Sequence, residues 1–182
     1  MSLRPIHLLG SPVLRERSVE VGGVDDDVRD FVRDLFDTMH ADSGIGLAAN
    51  QVGVARRIAV VQTEDDDAVV LIDPVILERE GTVRGEEGCL SIPEIFADVD
   101  RARRIVVETT TLDDERITVE ATDLRARAIQ HELDHLDGVL FIDHVSPLKR
   151  RLLMQKWKRQ RKGEVGHIKQ VSAGSRSASS RF

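Results

Sequence analysis

QHELDHLDG, residues 130–138, holds the pattern H-E-x-x-H with a glycine three residues past the second histidine. An α-helix brings residues four apart onto one face, so His131 and His135 can present two imidazoles to one metal ion while Glu132 stands beside them as a base. The helix implied by this stretch starts at an N-cap of Thr122 or Asp123 and stops at Gly138, a residue suited to the left-handed position past a helix end. Counting back by fours and threes from the histidines reaches Ala128 and Leu124, which are expected to line the cavity beside the metal. Ile129, Leu133 and Leu136 fall on the adjacent stripe and are expected to face the core.

Working outward, residues 26–41 (DDVRDFVRDLFDTMHA) space Val28, Phe31, Val32, Leu35, Phe36 and Met39 as one apolar face behind an acidic first turn, the pattern of an amphipathic helix. Residues 57–63 and 68–79 are rich in Val and Ile and read as strands. The stretch 104–122 reads as a hairpin turning at Asp113-Asp114. Ser146-Pro147 is a cap and first-turn pair for a C-terminal helix reaching about residue 162. Beyond it the chain turns small, polar and aperiodic, so residues 163–182 are expected to be a disordered tail. Helices and antiparallel strands without βαβ alternation predict an α+β domain over residues 1–162. Its antiparallel sheets pack around a central HExxH helix, with an N-terminal amphipathic helix and a C-terminal basic helix.

The 182 residues, 41% hydrophobic, suffice for one domain. No apolar run approaches a membrane span and residues 1–20 lack a signal-peptide pattern, so no membrane association and a cytoplasmic location are expected. The single cysteine, Cys89, rules out an internal disulfide and fits a reducing compartment. Residues 147–162 carry eight of the 26 Lys and Arg, while all 32 acidic residues lie elsewhere, so a basic segment is attached to an acidic body.

A catalytic site of this type needs a third protein ligand. The metzincin proteases place a third histidine where this chain has Phe141, which cannot bind metal. Glu164 stands beside the expected tail, and His144 could serve only if the chain folded straight back past Gly138. Upstream, EEGCLSIPE (86–94) holds Cys89 between Gly88, which tolerates unusual backbone angles, and Pro93. A thiolate there would complete a Cys-His-His set with a fourth position left for water. A third stretch, SGIGLAANQVG (43–53), matches the dinucleotide pattern G-x-G-x-x-A, but a helix and not a strand precedes it, which argues against a nucleotide site. Its glycines could instead admit a substrate backbone, with the Gln51 amide as a donor.

GIGLAANQ (44–51), EGCLS (87–91) and QHELDH (130–135), in that order, resemble the three signature motifs of the peptide deformylases, and IHLLGSPVLRERS (6–18) is similar to that family's opening. The resemblance covers about residues 5–160. It implies a hydrolase that removes formyl from the N-terminal methionine of new bacterial chains. It also implies a metal held by Cys89, His131 and His135, expected to be Fe²⁺, with Zn²⁺, Ni²⁺ or Co²⁺ able to take its place. In that reading Glu132 is the proton carrier, and the Gln51 side chain and Leu90 backbone N–H are donors to the formyl oxygen. Ile45, Gly46 and Gly88 would pair with an extended peptide, and Ile45, Leu124 and Ala128 would receive a methionine side chain. Arg127 reads as a solvated helix residue, and His7, His40, His144 and His167 as surface or core residues. The partners implied are N-formylmethionyl peptides and, through the basic helix 147–162, the ribosome, with no DNA. An HExxH metallopeptidase using Glu164 or His144 and a non-enzymatic, metal-stapled or metal-free interaction protein remain the alternatives.

Overall fold

The computed structural model describes residues 2–64 and 66–173. Among these the chain forms three α-helices, α1 (Asp26–Ala41), α2 (Asp123–Leu136) and α3 (Pro147–Gln160). The strands are β1 (Ile6–His7), β2 (Gly46–Ala48), β3 (Ile58–Val61), β4 (Val69–Glu80), β5 (Val83–Glu87), β6 (Ala97–Arg101), β7 (Arg104–Thr110), β8 (Arg116–Thr122) and β9 (Ile168–Lys169). The architecture is α+β, and every strand pair is antiparallel. The main sheet runs in the order β2-β3-β4-β7-β8, β5 and β6 form a separate hairpin, and β1 pairs with β9.

Strand β3 shows how the layers are built. Its four residues, IAVV, are all buried. Because successive side chains point to opposite faces, Ile58 and Val60 join Val28, Leu35 and Met39 of α1 in one core, while Ala59 and Val61 join Ile129, Leu133 and Leu136 of α2 in another. At β3 the sheet is thus covered on both faces, which is why this strand reads as a continuous apolar run. A third core collects Ile92, Ile95, Leu140, Phe141 and Trp157, docking α3 through its one buried residue.

The helix ends differ in how they are set. The Asp25 carboxylate accepts from the Val28 N–H at 2.9 Å, and Ser146 Oγ accepts from the Lys149 N–H at 3.3 Å. At α2, Thr122 is the N-cap but its side chain makes no cap bond. The Asp123 N–H instead donates to Arg103 O at 2.8 Å, so the tie back to the loop before β7 fixes the entry to the helix.

Residues 163–173 correct the expectation of a disordered tail. Gly163 and Gly166, both at positive φ, carry the chain round, after which β9 pairs with β1 and the Leu8 N–H donates to His167 O at 2.7 Å. A two-residue strand leaves no periodicity to read, so composition alone misjudged it. The remainder of that expectation, residues 174–182, lies outside the described residues.

Candidate metal centre

Helix α2 presents His131 and His135 one turn apart with their rings edge to face, centroids 4.9 Å apart. Cys89 reaches them from the turn after β5, a turn closed by the Ile92 N–H donating to Cys89 O at 2.9 Å. The ligand atoms of Cys89, His131 and His135 all lie within 4.8 Å of one another, and this is the one such group among the described residues. Cys89 Sγ sits 3.2 Å from His135 Nε2. Ligands of one tetrahedral ion stand roughly 3 to 4 Å apart given Zn–S near 2.3 Å and Zn–N near 2.0 Å, so the donor set and its spacing fit one divalent ion.

The surroundings hold these ligands in place. His131 Nδ1 lies 3.0 Å from Glu87 Oε2, which leaves Nε2 for the metal side of the ring. Glu87 is fully buried and is gripped by Arg101 through two bonds of 2.8 and 2.9 Å and by Arg127 at 2.9 Å. Burial alone would raise the Glu87 pKa, but the hydrogen bonds and charges of Arg101 and His131 outweigh it and keep the carboxylate ionised, well below the usual range. Burial lowers the His135 pKa, aided by the neighbouring His131 and Arg101 charges, and so favours the neutral imidazole that a ligand must be. Burial also disfavours charge on His131, yet Cys89 and Glu87 prevail and raise its pKa, so an ion would have to displace that proton.

Glu132 is buried, and its Oε2 has no hydrogen-bond partner among the described residues. Burial is the main cause that pushes its pKa up to about 7. Gly46 faces it so closely that a Cβ there would collide with Glu132 Oε1. Gln51 is held on both ends of its amide: its Oε1 accepts from the Ala48 N–H at 2.8 Å, and its Nε2 donates to Ser91 Oγ at 3.1 Å and toward Cys89 Sγ at 3.5 Å. All of this opens into a cleft of about 1220 Å³ lined by Ile45, Gly46, Gln51, Cys89, Leu90, Leu124, His131 and Glu132, among others.

Three expectations need correction. Ala128 does not line the cleft; it is fully buried in the core between α2 and the sheet. Gly88 is buried and is not among the cleft-lining residues. Arg127 is not solvated: only 5% exposed, it donates to Glu87 and to the carbonyls of Val83, Gly85 and Val99, clamping the β5–β6 hairpin onto α2. Glu87 and Arg101 escaped the sequence reading altogether. The available signal was the acid two residues before the cysteine, where a ligand histidine would find a carboxylate partner.

His144 and Glu164, the rival third ligands, are engaged elsewhere. His144 Nε2 lies 2.7 Å from Asp134 Oδ2, and exposed Glu164 pairs with Arg161. Neither belongs to the ligand group.

The polypeptide deformylase family model matches residues 3–151. The chain belongs to the peptide deformylase family. A peptide deformylase from Agrobacterium fabrum (strain C58) is 41% identical over 170 residues, 91% of this chain and 100% of that protein. One from Pseudoalteromonas translucida (strain TAC 125) is 44% identical over 151 residues, 82% of this chain and 90% of the other. Among solved structures, the peptide deformylase from Ehrlichia chaffeensis in complex with actinonin is similar with a TM-score of 0.86 and 35% identity, covering 91% of this chain and 100% of that one. Deformylases are metal-dependent hydrolases, and the cysteine and two histidines found here form a candidate for such a site.

Proposed function

We propose that Cys89, His131 and His135 together hold one divalent ion, Fe²⁺ in the cell with Zn²⁺, Ni²⁺ or Co²⁺ able to replace it, and that Glu132 moves the proton. The reaction is removal of the N-formyl group from newly made polypeptides, releasing formate. When bound, the ion supplies Lewis-acid chemistry, making a coordinated water acidic toward a pKa of about 7. Glu132 takes the proton from the attacking water and returns it to the leaving amine; burial raises its pKa to about 7, and a nearby cation would draw it back toward the carboxylate range. The Gln51 Nε2–H and the Leu90 backbone N–H stabilise the charge that grows on the formyl oxygen.

β2 lies at the edge of the main sheet, with Gly46 in the cleft wall, so an extended substrate can add to that edge as a further strand. Ile45 and Leu124 offer apolar surface to the methionine side chain. The ribosome, reached through the basic helix α3, is the expected partner, which places the enzyme in the cytoplasm.

The observation that carries this reading is the Cys89–His131–His135 group beside a buried, half-unpartnered Glu132 at the cleft wall. Formate release from a formyl-Met peptide, and none from its acetyl analogue, is the expected result with metal-loaded protein. Equal turnover of both substrates would overturn the specificity, and turnover unaffected by a chelator would overturn the metal site.

A further inference from the structure

Asp42 is the residue that ends α1, and the substrate cleft begins directly after it with Ser43, Gly44, Ile45 and Gly46. Its carboxylate side chain is only 1% exposed, yet it lies at the cleft wall. A carboxylate taken out of water is costly unless a partner of opposite charge meets it. That partner is 127 residues away: Lys169 Nζ approaches both oxygens, at 2.6 and 2.8 Å. Ser43, next in the chain, holds φ at 59°, a left-handed value for a residue with a side chain, so the connection from helix to cleft wall must be kept in place by its surroundings.

The segment carrying Lys169 is itself anchored. β9 pairs with β1 in register Ile6↔Lys169, the His167 ring packs on Gly10, and Val171 packs on the core that holds Trp157. The family model ends at residue 151, before any of these contacts. A strap from the far end of the chain therefore meets a buried acid at the head of the substrate-binding wall.

We infer that Lys169 is a positioning residue for deformylation: by neutralising Asp42 it fixes the turn at Ser43 and so the Gly44–Gly46 wall on which the substrate lies. It touches no reacting atom, so its loss acts on how well the wall receives a peptide and not on the metal or on Glu132. The inference rests on the deformylase reading. Wild-type turnover of a formyl-Met peptide tests that reading separately, and its failure would be visible before any variant is made.

The test compares Lys169→Met, Lys169→Arg and the double variant Asp42→Asn with Lys169→Met, each loaded with the same metal. Lys169→Met is expected to raise KM for the formyl-Met peptide by roughly ten-fold with kcat within about two-fold and metal content unchanged. Lys169→Arg should return KM close to wild type, and the double variant should recover part of the loss because no buried charge is left unpaired. Amide hydrogen exchange over residues 43–46 should quicken in Lys169→Met and be slow again in Lys169→Arg. An unchanged KM with unchanged exchange overturns the inference. So does a loss confined to kcat or accompanied by metal loss, which would make the contact a general stability element.

Discussion

Glu87 Oε2 lies 3.0 Å from His131 Nδ1, and the same carboxylate is bound by Arg101 and Arg127, so one buried acid joins a histidine of the candidate metal group to two guanidinium groups. Removing its charge frees the ligand ring and leaves both arginines without their shared partner. Glu87→Gln is expected to weaken metal binding about 10- to 100-fold, measured by competition with a chelator. Glu87→Ala should in addition lose about 3 to 5 kcal/mol of stability in urea denaturation. Metal affinity unchanged in Glu87→Gln would show that His131 is oriented without help from the Glu87 charge.

The three residues of the candidate metal group were legible in sequence while their support was not. Four-residue spacing fixes where two histidines point, and a cysteine between motifs is conspicuous because it is the only one. Arg127 was read as solvated since a charged residue on a helix normally faces water. Its real partners, Glu87, Gly85, Val83 and Val99, stand 28 to 44 residues away and come close only once the β5–β6 hairpin folds over α2. Ala128 was misplaced by a related limit. Helical spacing assigns a residue to a face, but the sheet packed on that face decides whether it meets a cleft or a core. The Lys169–Asp42 pair is 127 residues apart, and a two-residue strand gives it no local signature.

Glu132→Ala is expected to keep its metal and lose turnover by about 10²- to 10⁴-fold, because the change removes a proton carrier and not a ligand. The pH profile carries a further expectation. Burial lifts the carboxyl to about 7, and a bound cation nearby would pull it down again. The acid limb of kcat/KM should therefore fall between the ordinary carboxylate value of 4.5 and about 7, with activity rising as pH increases through it. Replacing Glu132 should abolish that limb; a limb that persists in the variant would assign it to another group.

Gly46→Ala should be nearly inactive with metal still bound, since the added methyl group occupies the space of Glu132 Oε1. Glu132 is buried by its neighbours and has little room to yield. Metal analysis beside a formate assay separates this outcome from unfolding, and wild-type turnover in the variant would mean that the wall and the carboxylate can part without cost.

Asp143 offers a test of pH-dependent stability away from the metal. Burial raises its pKa, but Arg15, the Leu140 N–H and Arg150 outweigh that effect and hold it below the ordinary aspartate value of 3.8. A folded-state pKa below the unfolded one means stability that is fully present above about pH 4 and lost as pH falls through the folded value. Asp143→Asn should thus lower stability by about 1 kcal/mol at pH 7, and the gap to wild type should close on acidification below pH 4. A gap independent of pH would show that hydrogen-bond geometry lost in the variant, and not the charge, was at stake.

The last prediction concerns α3 and the proposed contact with the ribosome. Deleting the helix is a poor test, because Trp157 is part of a core and the chain beyond it carries Lys169 to Asp42. Seven of the eight basic residues at 147–162 divide into two groups. Lys156 donates to Glu94 O, Arg150 pairs with Asp143, and Arg161 reaches Glu164 and Gly166 O, so these serve the fold. Arg151, Lys158, Arg159 and Lys162 are exposed and make no ion pair among the described residues, and Arg151 and Lys158, seven apart, share one helix face. A row of unpaired cations favours phosphates, whose binding releases counterions and so weakens steeply with salt. Replacing these four with Glu should abolish co-sedimentation with ribosomes at low salt while short formyl-Met peptides are deformylated at about the wild-type rate. The wild-type protein should itself detach as salt rises from roughly 50 to 200 mM. Co-sedimentation that survives the charge reversal, or that ignores salt, would mean that this face is only solvated.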